Sequence, residues 1–432
     1  MVWIFLFLVT LFIRPQDWPG SPVYAWPLND VIVGGGFLTG LLSVFFQRKQ
    51  ISNPHNYLLL LFMCLAFSSN LLNGNSDLGM LQFNIIAKRV MVYFMFIFLV
   101  DTPKRIRQVL FISLLLVLVL VFQGMYQKNT GVGWAMQHLH TFSDQVEQST
   151  MLDFDKFGVR TFWIGLWDGP NVLAVAYLFV VPFCLGSIFK VNRKTLSSVI
   201  YSIFFLLLGY GLYLTNSRGG TLAFLCIVFL FILERFGLKK TLLITLLILP
   251  LVAVVLPKRM TVLNSSESSA HERTWLWEQG LNMLRSKPLS GIGKGRFGAA
   301  TGLIAHSNYA GNMAEMGLPG LIVYLALMYY PAKVCYFIFK KTAVIGAESE
   351  LRSLSRMLLF TLAGFAVATM FVIMEHDILY ILWALCVGLY LIAKKTISGF
   401  NLSFCRRDWF TVGSMGIMYI MFVWLVAVKE IF

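Results

Sequence analysis

Long apolar runs, separated by short polar turns and interrupted twice by longer polar stretches, organise this chain from end to end. The runs fall near residues 2–13, 28–46, 56–73, 85–100, 107–124, 171–190, 197–215, 219–235, 240–256, 318–339, 354–374, 378–394 and 409–428, and they predict thirteen helices. Most are long enough to cross a bilayer, so the chain reads as an all-α, polytopic transmembrane bundle of about 12–14 helices. Runs such as Leu110–Phe122 and Leu242–Leu256 show no alternation of polar and apolar positions, which excludes the alternating strands of a membrane barrel.

The two polar interruptions set the organisation. N-terminal helices occupy 1–124, a first long loop 125–170, central helices 171–256, a second loop 257–317, and C-terminal helices 318–432. Neither loop has the Gly/Ser/Pro repetition of a flexible linker, and both are expected to form packed caps, the second as a helical loop domain. Its Ser269-x-x-Glu272 is a capping-box pattern opening a helix whose Leu276, Trp277, Leu281, Met283 and Leu284 form an apolar side suited to the membrane interface.

Cations fix the sidedness. Arg48-Lys49, Lys104-Arg105-Ile106-Arg107, Lys190 to Lys194, Arg235 with Lys239-Lys240, Lys340-Lys341 with Arg352 and Arg356, and Lys394-Lys395 with Arg406-Arg407 cluster at the ends of alternate runs. By the positive-inside rule those ends are cytoplasmic, the N-terminus is inside, the C-terminus outside, and loops 14–27, 125–170 and 257–317 face the far side. The formal charge of +15 is therefore topological, with membrane lipids rather than nucleic acid as its partner. A composition of 58% hydrophobic and 13% charged residues also excludes an ordinary soluble globule. The six cysteines lie in apolar runs or cation-marked loops, so no disulfide framework is expected. Met1 to Ile13 lacks a basic leader and a small-residue cleavage site, and reads as a short first helix rather than a removed signal peptide.

Chemistry concentrates at the outer ends. Arg218, in Thr215-Asn-Ser-Arg-Gly-Gly220, sits in a tight turn where neighbouring glycines and a helix start offer a phosphate cradle; snorkelling to the headgroups is its alternative role. Arg273 lies in the first turn of the loop helix, where a cation opposes the helix dipole, and it either binds an anion or pairs with Glu267 or Glu272. His306 precedes the helix-starting residues Ser307 and Asn308, which places an imidazole at the mouth of the bundle as a proton acceptor or as a structural group. Glu315 either orients that imidazole or stabilises the helix start. Lys88 and Arg89 break the charge rule by beginning a helix on the outer side, as anchors or as partners of a lipid phosphate. Asp153-Phe-Asp155 has the form of a metal-binding acidic pair but reads as ordinary loop polarity, and Gly291-Ile-Gly-Lys-Gly295 lacks P-loop spacing and reads as a turn. Asp17 and Asp30 fit turn and cap roles better than catalysis.

Four ordered segments resemble the O-antigen ligase and polymerase family of bacterial surface-polysaccharide assembly. They are Arg160-Thr-Phe-Trp-Ile-Gly-Leu-Trp-Asp-Gly-Pro-Asn171, the Arg218 turn, Arg273-Thr-Trp275 with Lys287 to Phe297, and His306-Ser-Asn-Tyr309 with Glu315-Met-Gly-Leu-Pro-Gly320. Phe12-Ile-Arg-Pro-Gln-Asp-Trp18 resembles more faintly the exosortase-associated O-glycosylation ligase branch. The resemblance implies a metal-independent, cofactor-free, inverting glycosyltransferase of the bacterial inner membrane with a periplasmic active site. Its donor would be a glycan on polyprenyl (undecaprenyl) diphosphate, and its acceptor lipid A core or another glycan or protein. Family logic assigns Arg218 and Arg273 to the diphosphate and His306 to the base. Arg160, Asn171, Lys88, Arg89, Asn308 and Glu315 complete the candidate diphosphate and glycan contacts. The family often shows His-Asn directly, whereas Ser307 intervenes here, which leaves the acceptor-side geometry open. Diphosphate is a good leaving group, so the reaction needs fixed cations and a base rather than a carboxylate pair. A repeat-unit polymerase would share the donor, and a lipid-linked oligosaccharide flippase is a third possibility, opposed by the absence of internal repeats.

Overall fold

The computed structural model describes residues 1–138, 160–189, 195–255, 268–342 and 349–428. Among them the chain is helical, with no strand longer than an isolated bridge between Val132 and His138. Ten helices among the described residues are long and apolar enough to cross a membrane. All-α, polytopic architecture follows.

The helices are α1 (Val2–Phe12), α2 (Leu28–Gln47), α3 (Pro54–Leu71), α4 (Ser76–Leu99), α5 (Pro103–Thr130), α6 (Pro170–Ile188), α7 (Thr195–Thr215), α8 (Arg218–Val255), α9 (Ser268–Ser286), α10 (Phe297–Thr301), α11 (Asn308–Thr342), α12 (Glu350–Ala368), α13 (Asp377–Thr396) and α14 (Arg406–Val428). Local chemistry sets several starts. Asn53 and Asn75 cap α3 and α4 by accepting from the backbone N–H of Asn56 and Leu78, and prolines at positions 54, 103 and 170 occupy first turns where no N–H is needed.

Two glycines mark boundaries between helical stretches that follow one another without a loop. The runs expected at 219–235 and 240–256 are two such stretches, broken at Gly237 (φ 76°, ψ 168°) and numbered together as α8. In α11 the run expected from 318 is preceded by nine helical residues and a break at Gly317 (φ 68°, ψ −162°), a conformation open essentially to glycine alone. α4 begins at Ser76, not near 85, because the Asn75 cap and Asp77 in the first turn support helix through a stretch too polar to register as an apolar run. α1 has only 11 residues, about 16 Å at 1.5 Å per residue, well short of a ~30 Å hydrocarbon core.

The chain divides into two compact units, each discontinuous in sequence. The first (Met1–Ile32, Lys104–Leu263, Ile345–Ala368) is built around α6, apolar on every side and buried along nearly its whole length against α7, α8 and α12. In the second (Val33–Pro103, Asn264–Val344, Thr369–Phe432), α13 packs on α4 and α11, while α11 also packs on α3, α9 and α14.

Candidate functional site

In the first unit the Arg218 turn is a compact local device. Asn216 adopts a left-handed conformation (φ 49°), reversing the chain after α7. Ser217 then caps α8, its hydroxyl accepting from the Gly220 N–H at 3.2 Å, and Arg218 becomes the first helical residue, half-buried. The bare face of Gly220 is occupied by the protein rather than left for a ligand: a Cβ there would stand 2.6 Å from that of Ala174 in α6. That close approach brings Asn171 under the turn, where its Oδ1 accepts from Ser217 Oγ at 2.8 Å and from Arg160 Nη2 at 2.9 Å. Arg160 Nε also donates to the Thr215 carbonyl at 3.2 Å. Arg160, Asn171 and the Arg218 turn thus form one hydrogen-bonded group, with Asn171 as its strut.

The segment carrying Arg160 is held in turn by α1. The indole N–H groups of Trp163 and Trp167 donate to the carbonyls of Ile13 (3.1 Å) and Leu11 (2.9 Å), which terminate α1 without helical partners. Trp167 stacks on Phe12 with centroids 5.6 Å apart. The Arg14–Asp17 ion pair lies directly against the backbone of Gly165, whose φ of 62° and missing side chain make room for it. Asp17 is therefore a turn residue. Asp30 sits in the first turn of α2.

In the second unit His306 repeats the same device. It has φ 48°, Ser307 behind it is buried and caps α11 toward the Ala310 N–H, and Asn308 opens the helix. Ser307 is thus the helix cap, which accounts for its position between His306 and Asn308. Leu276 on α9 and Ala305 beside His306 join Phe297 and Ala314 in one apolar cluster, and Leu276 is one turn on from Arg273. Burial of those apolar neighbours brings the guanidinium of Arg273 close enough to act on the imidazole. Burial first, and then the positive charge of Arg273, hold His306 below the usual histidine range. At neutral pH it is an uncharged, half-buried base next to a fixed cation.

Glu315 and Asn308 face inward. Glu315 Oε1 accepts from the Phe297 N–H at 3.2 Å and its Oε2 lies 3.2 Å from Lys294 Nζ. Asn308, 1% exposed, donates to Tyr324 Oη at 2.8 Å and accepts from the Met374 N–H at 2.7 Å. The break at Gly317 and the missing N–H of Pro319 free the carbonyls of Ala314 and Glu315, which accept instead from Ile292 (3.0 Å) and Gly293 (2.9 Å). The 291–295 glycine segment is accordingly a docking turn on α11. Lys88 and Arg89 lie more than three turns into α4; Lys88 is exposed, and Arg89 Nη2 stands 3.4 Å from Nδ1 of His376, the residue before α13. They are level with the start of α13, not at the start of α4.

Sequence reading missed Lys294 and Glu375. Lys294 had been absorbed into a turn. Glu375 stands beside the end of an apolar run, where an acidic residue is costly unless paired, and that is the signal that marks it. Asp153 and Asp155 lie outside the described residues, and no cluster of His, Cys, Asp or Glu among the described residues fits a metal ion.

Residues 203–325 match the family model described as O-antigen ligase. The match takes in the Arg218 turn, α9 with Arg273, the glycine turn and His306, the family resembled by the sequence motifs. No curated protein matches the chain. With ten membrane-length apolar helices among the described residues, the chain is a multi-pass membrane protein, and its residues 203–325 are similar to the O-antigen ligase family.

Proposed function

We propose that this protein is a periplasmic-face, inverting glycosyltransferase of O-antigen ligase type, which moves a glycan from a polyprenyl diphosphate carrier to an acceptor hydroxyl. The observation that carries the reading is His306 itself, set in a left-handed turn and held below the usual histidine range by burial and then by the charge of Arg273. A neutral imidazole accepts the proton of the attacking hydroxyl. A guanidinium beside it holds phosphate oxygens in pairs and never deprotonates, which suits the charge that grows on the leaving diphosphate. Arg218, set at a helix start and braced through Asn171 and Arg160, has the same chemistry and is assigned as a diphosphate ligand.

The test is transfer by the purified full chain from a diphosphate-linked glycan to an acceptor lipid. Arg218→Ala and Arg273→Ala are each expected to lower turnover by about a hundredfold or more, as loss of an oxyanion-type donor does. Near-normal transfer by a membrane-inserted Arg218→Ala variant would overturn the assignment. The faint likeness of Phe12 to Trp18 favours ligation over polymerisation. Deletion of the gene separates them: long polymer stranded on the carrier marks a ligase, single repeat units on the acceptor a polymerase.

A further inference from the structure

The second unit contains a buried cluster of opposite charges that the proposed chemistry does not use. Lys294 Nζ lies 2.9 Å from Glu375 Oε2 and 3.2 Å from Glu315 Oε2, and donates to Asn312 Oδ1 at 3.0 Å. All four side chains are at least nine-tenths buried. An ammonium has three N–H groups, and here each meets one acceptor. The second carboxylate is balanced by Arg89, whose charge acts on Glu375. Burial pulls the Lys294 ammonium down and pushes the Glu375 carboxyl up. In both cases the partners outweigh burial, holding Lys294 above and Glu375 below their ordinary ranges. The cluster is saturated and charge-balanced, so it is no binding site. Nor is its purpose explained by stability, since a buried ion cluster contributes little over a well-packed apolar core.

What the cluster does fix is position. His306 has a left-handed backbone, which for a residue other than glycine is strained and persists only where surrounding contacts enforce it. The enforcing contacts run through the next residue but one. Asn308 donates its backbone N–H to the Thr369 carbonyl at 2.9 Å and accepts at its side chain from the Met374 N–H. Both partners belong to the 369–376 segment, which is not helical and has no ladder of its own. That segment is pinned at its far end by Glu375, through Lys294 and through Asn312, which also donates to the Asn308 carbonyl at 2.8 Å. Lys294 is itself seated by the outer end of α3, its N–H donating to Ser69 Oγ and its carbonyl accepting from Asn70.

We propose that Lys294 is a positioning residue: by tying Glu375 to Glu315 and Asn312 it holds the 369–376 segment against α11, and so keeps the His306 turn set with its imidazole beside Arg273. The role in catalysis rests on the transferase reading. Two measurements on the full chain in nanodiscs test it separately from that reading. One is kcat and donor KM for Lys294→Met and Lys294→Arg. The other is the rate at which diethyl pyrocarbonate modifies His306, read by peptide mass spectrometry. Lys294→Met is expected to lower kcat about tenfold or more, since sub-ångström misplacement of a catalytic group is costly, with donor KM changed by less than about twofold. The same variant is expected to alter the His306 modification rate severalfold. Lys294→Arg, which keeps the charge and the donors, is expected to recover most of both. Should Lys294→Met fail to fold, Glu375→Gln replaces it with the same expected directions, because Lys294 then keeps Glu315 as counter-ion. A folded Lys294→Met protein with unchanged kcat and unchanged His306 modification would overturn the proposal. If the native protein transfers no glycan, the functional reading falls, while the His306 modification rate still decides whether Lys294 sets the turn.

Discussion

Asn308 offers the sharpest quantitative test of how the His306 turn is held. Its side chain is buried and joins two groups, the Met374 N–H at 2.7 Å and the Tyr324 hydroxyl at 2.8 Å. In Asn308→Ala the Met374 N–H is left buried without its acceptor, a loss of about 1–3 kcal/mol. The Tyr324 hydroxyl keeps a contact with Thr369, so its share is smaller, about 1 kcal/mol. The sum is a destabilisation of about 2–4 kcal/mol. Tyr324→Phe removes the hydroxyl that Asn308 serves, so in the double variant the two losses overlap, with an expected coupling of about 1 kcal/mol. Denaturant titration in mixed micelles measures all four corners of the cycle, and the acceptor KM is followed in parallel. If Asn308→Ala stays within about 0.5 kcal/mol of the parent while the acceptor KM rises, Asn308 faces substrate and does not hold the His306 turn.

Other consequences are as direct. A base whose proton affinity is lowered by burial and by Arg273 gives an acid limb of kcat/KM with its midpoint below the ordinary histidine value of about 6.5, and Arg273→Gln is expected to move that midpoint upward; an unmoved limb would detach Arg273 from His306. The same shift has a stability sign: between the folded and ordinary values the unfolded chain binds more protons, so His306 contributes stability that is full above about 6.5 and is lost as pH falls through the folded value. Gly317→Ala puts a Cβ 2.5 Å from the Pro288 carbonyl oxygen in a glycine-only conformation, and is expected to cost at least about 1–3 kcal/mol in the same titration. Trp167→Phe keeps an aromatic ring against Phe12 but leaves the Leu11 carbonyl without its indole donor, an expected loss of about 1 kcal/mol, whereas Trp167→Ala is expected to lose about 3–5. Equal effects of the two tryptophan substitutions would mean that the indole N–H contributes nothing.

By itself the sequence determined the class of the protein and most of its helices, because an apolar run of membrane length has one way to satisfy its backbone in lipid. It also singled out Arg218, Arg273 and His306, since charge and imidazole are scarce at the outer ends of such a chain and each was expected at a helix start; Arg273 instead lies five residues into α9, which runs from Ser268. Tertiary structure decided what those starts are made of. Asn216 and His306 both adopt left-handed turns sealed by a serine cap, Ser217 and Ser307, and the intervening Ser307 that looked like a departure from the family pattern is that cap. It also showed the partners that Asn171, Asn308 and Glu315 have within the protein, and drew Lys294 and Glu375 together from positions 81 residues apart. Spacing along the chain reports which residues share a helix face, because that periodicity is local. A buried ammonium choosing its carboxylates across three segments is a matter of packing, and only the folded chain sets those distances.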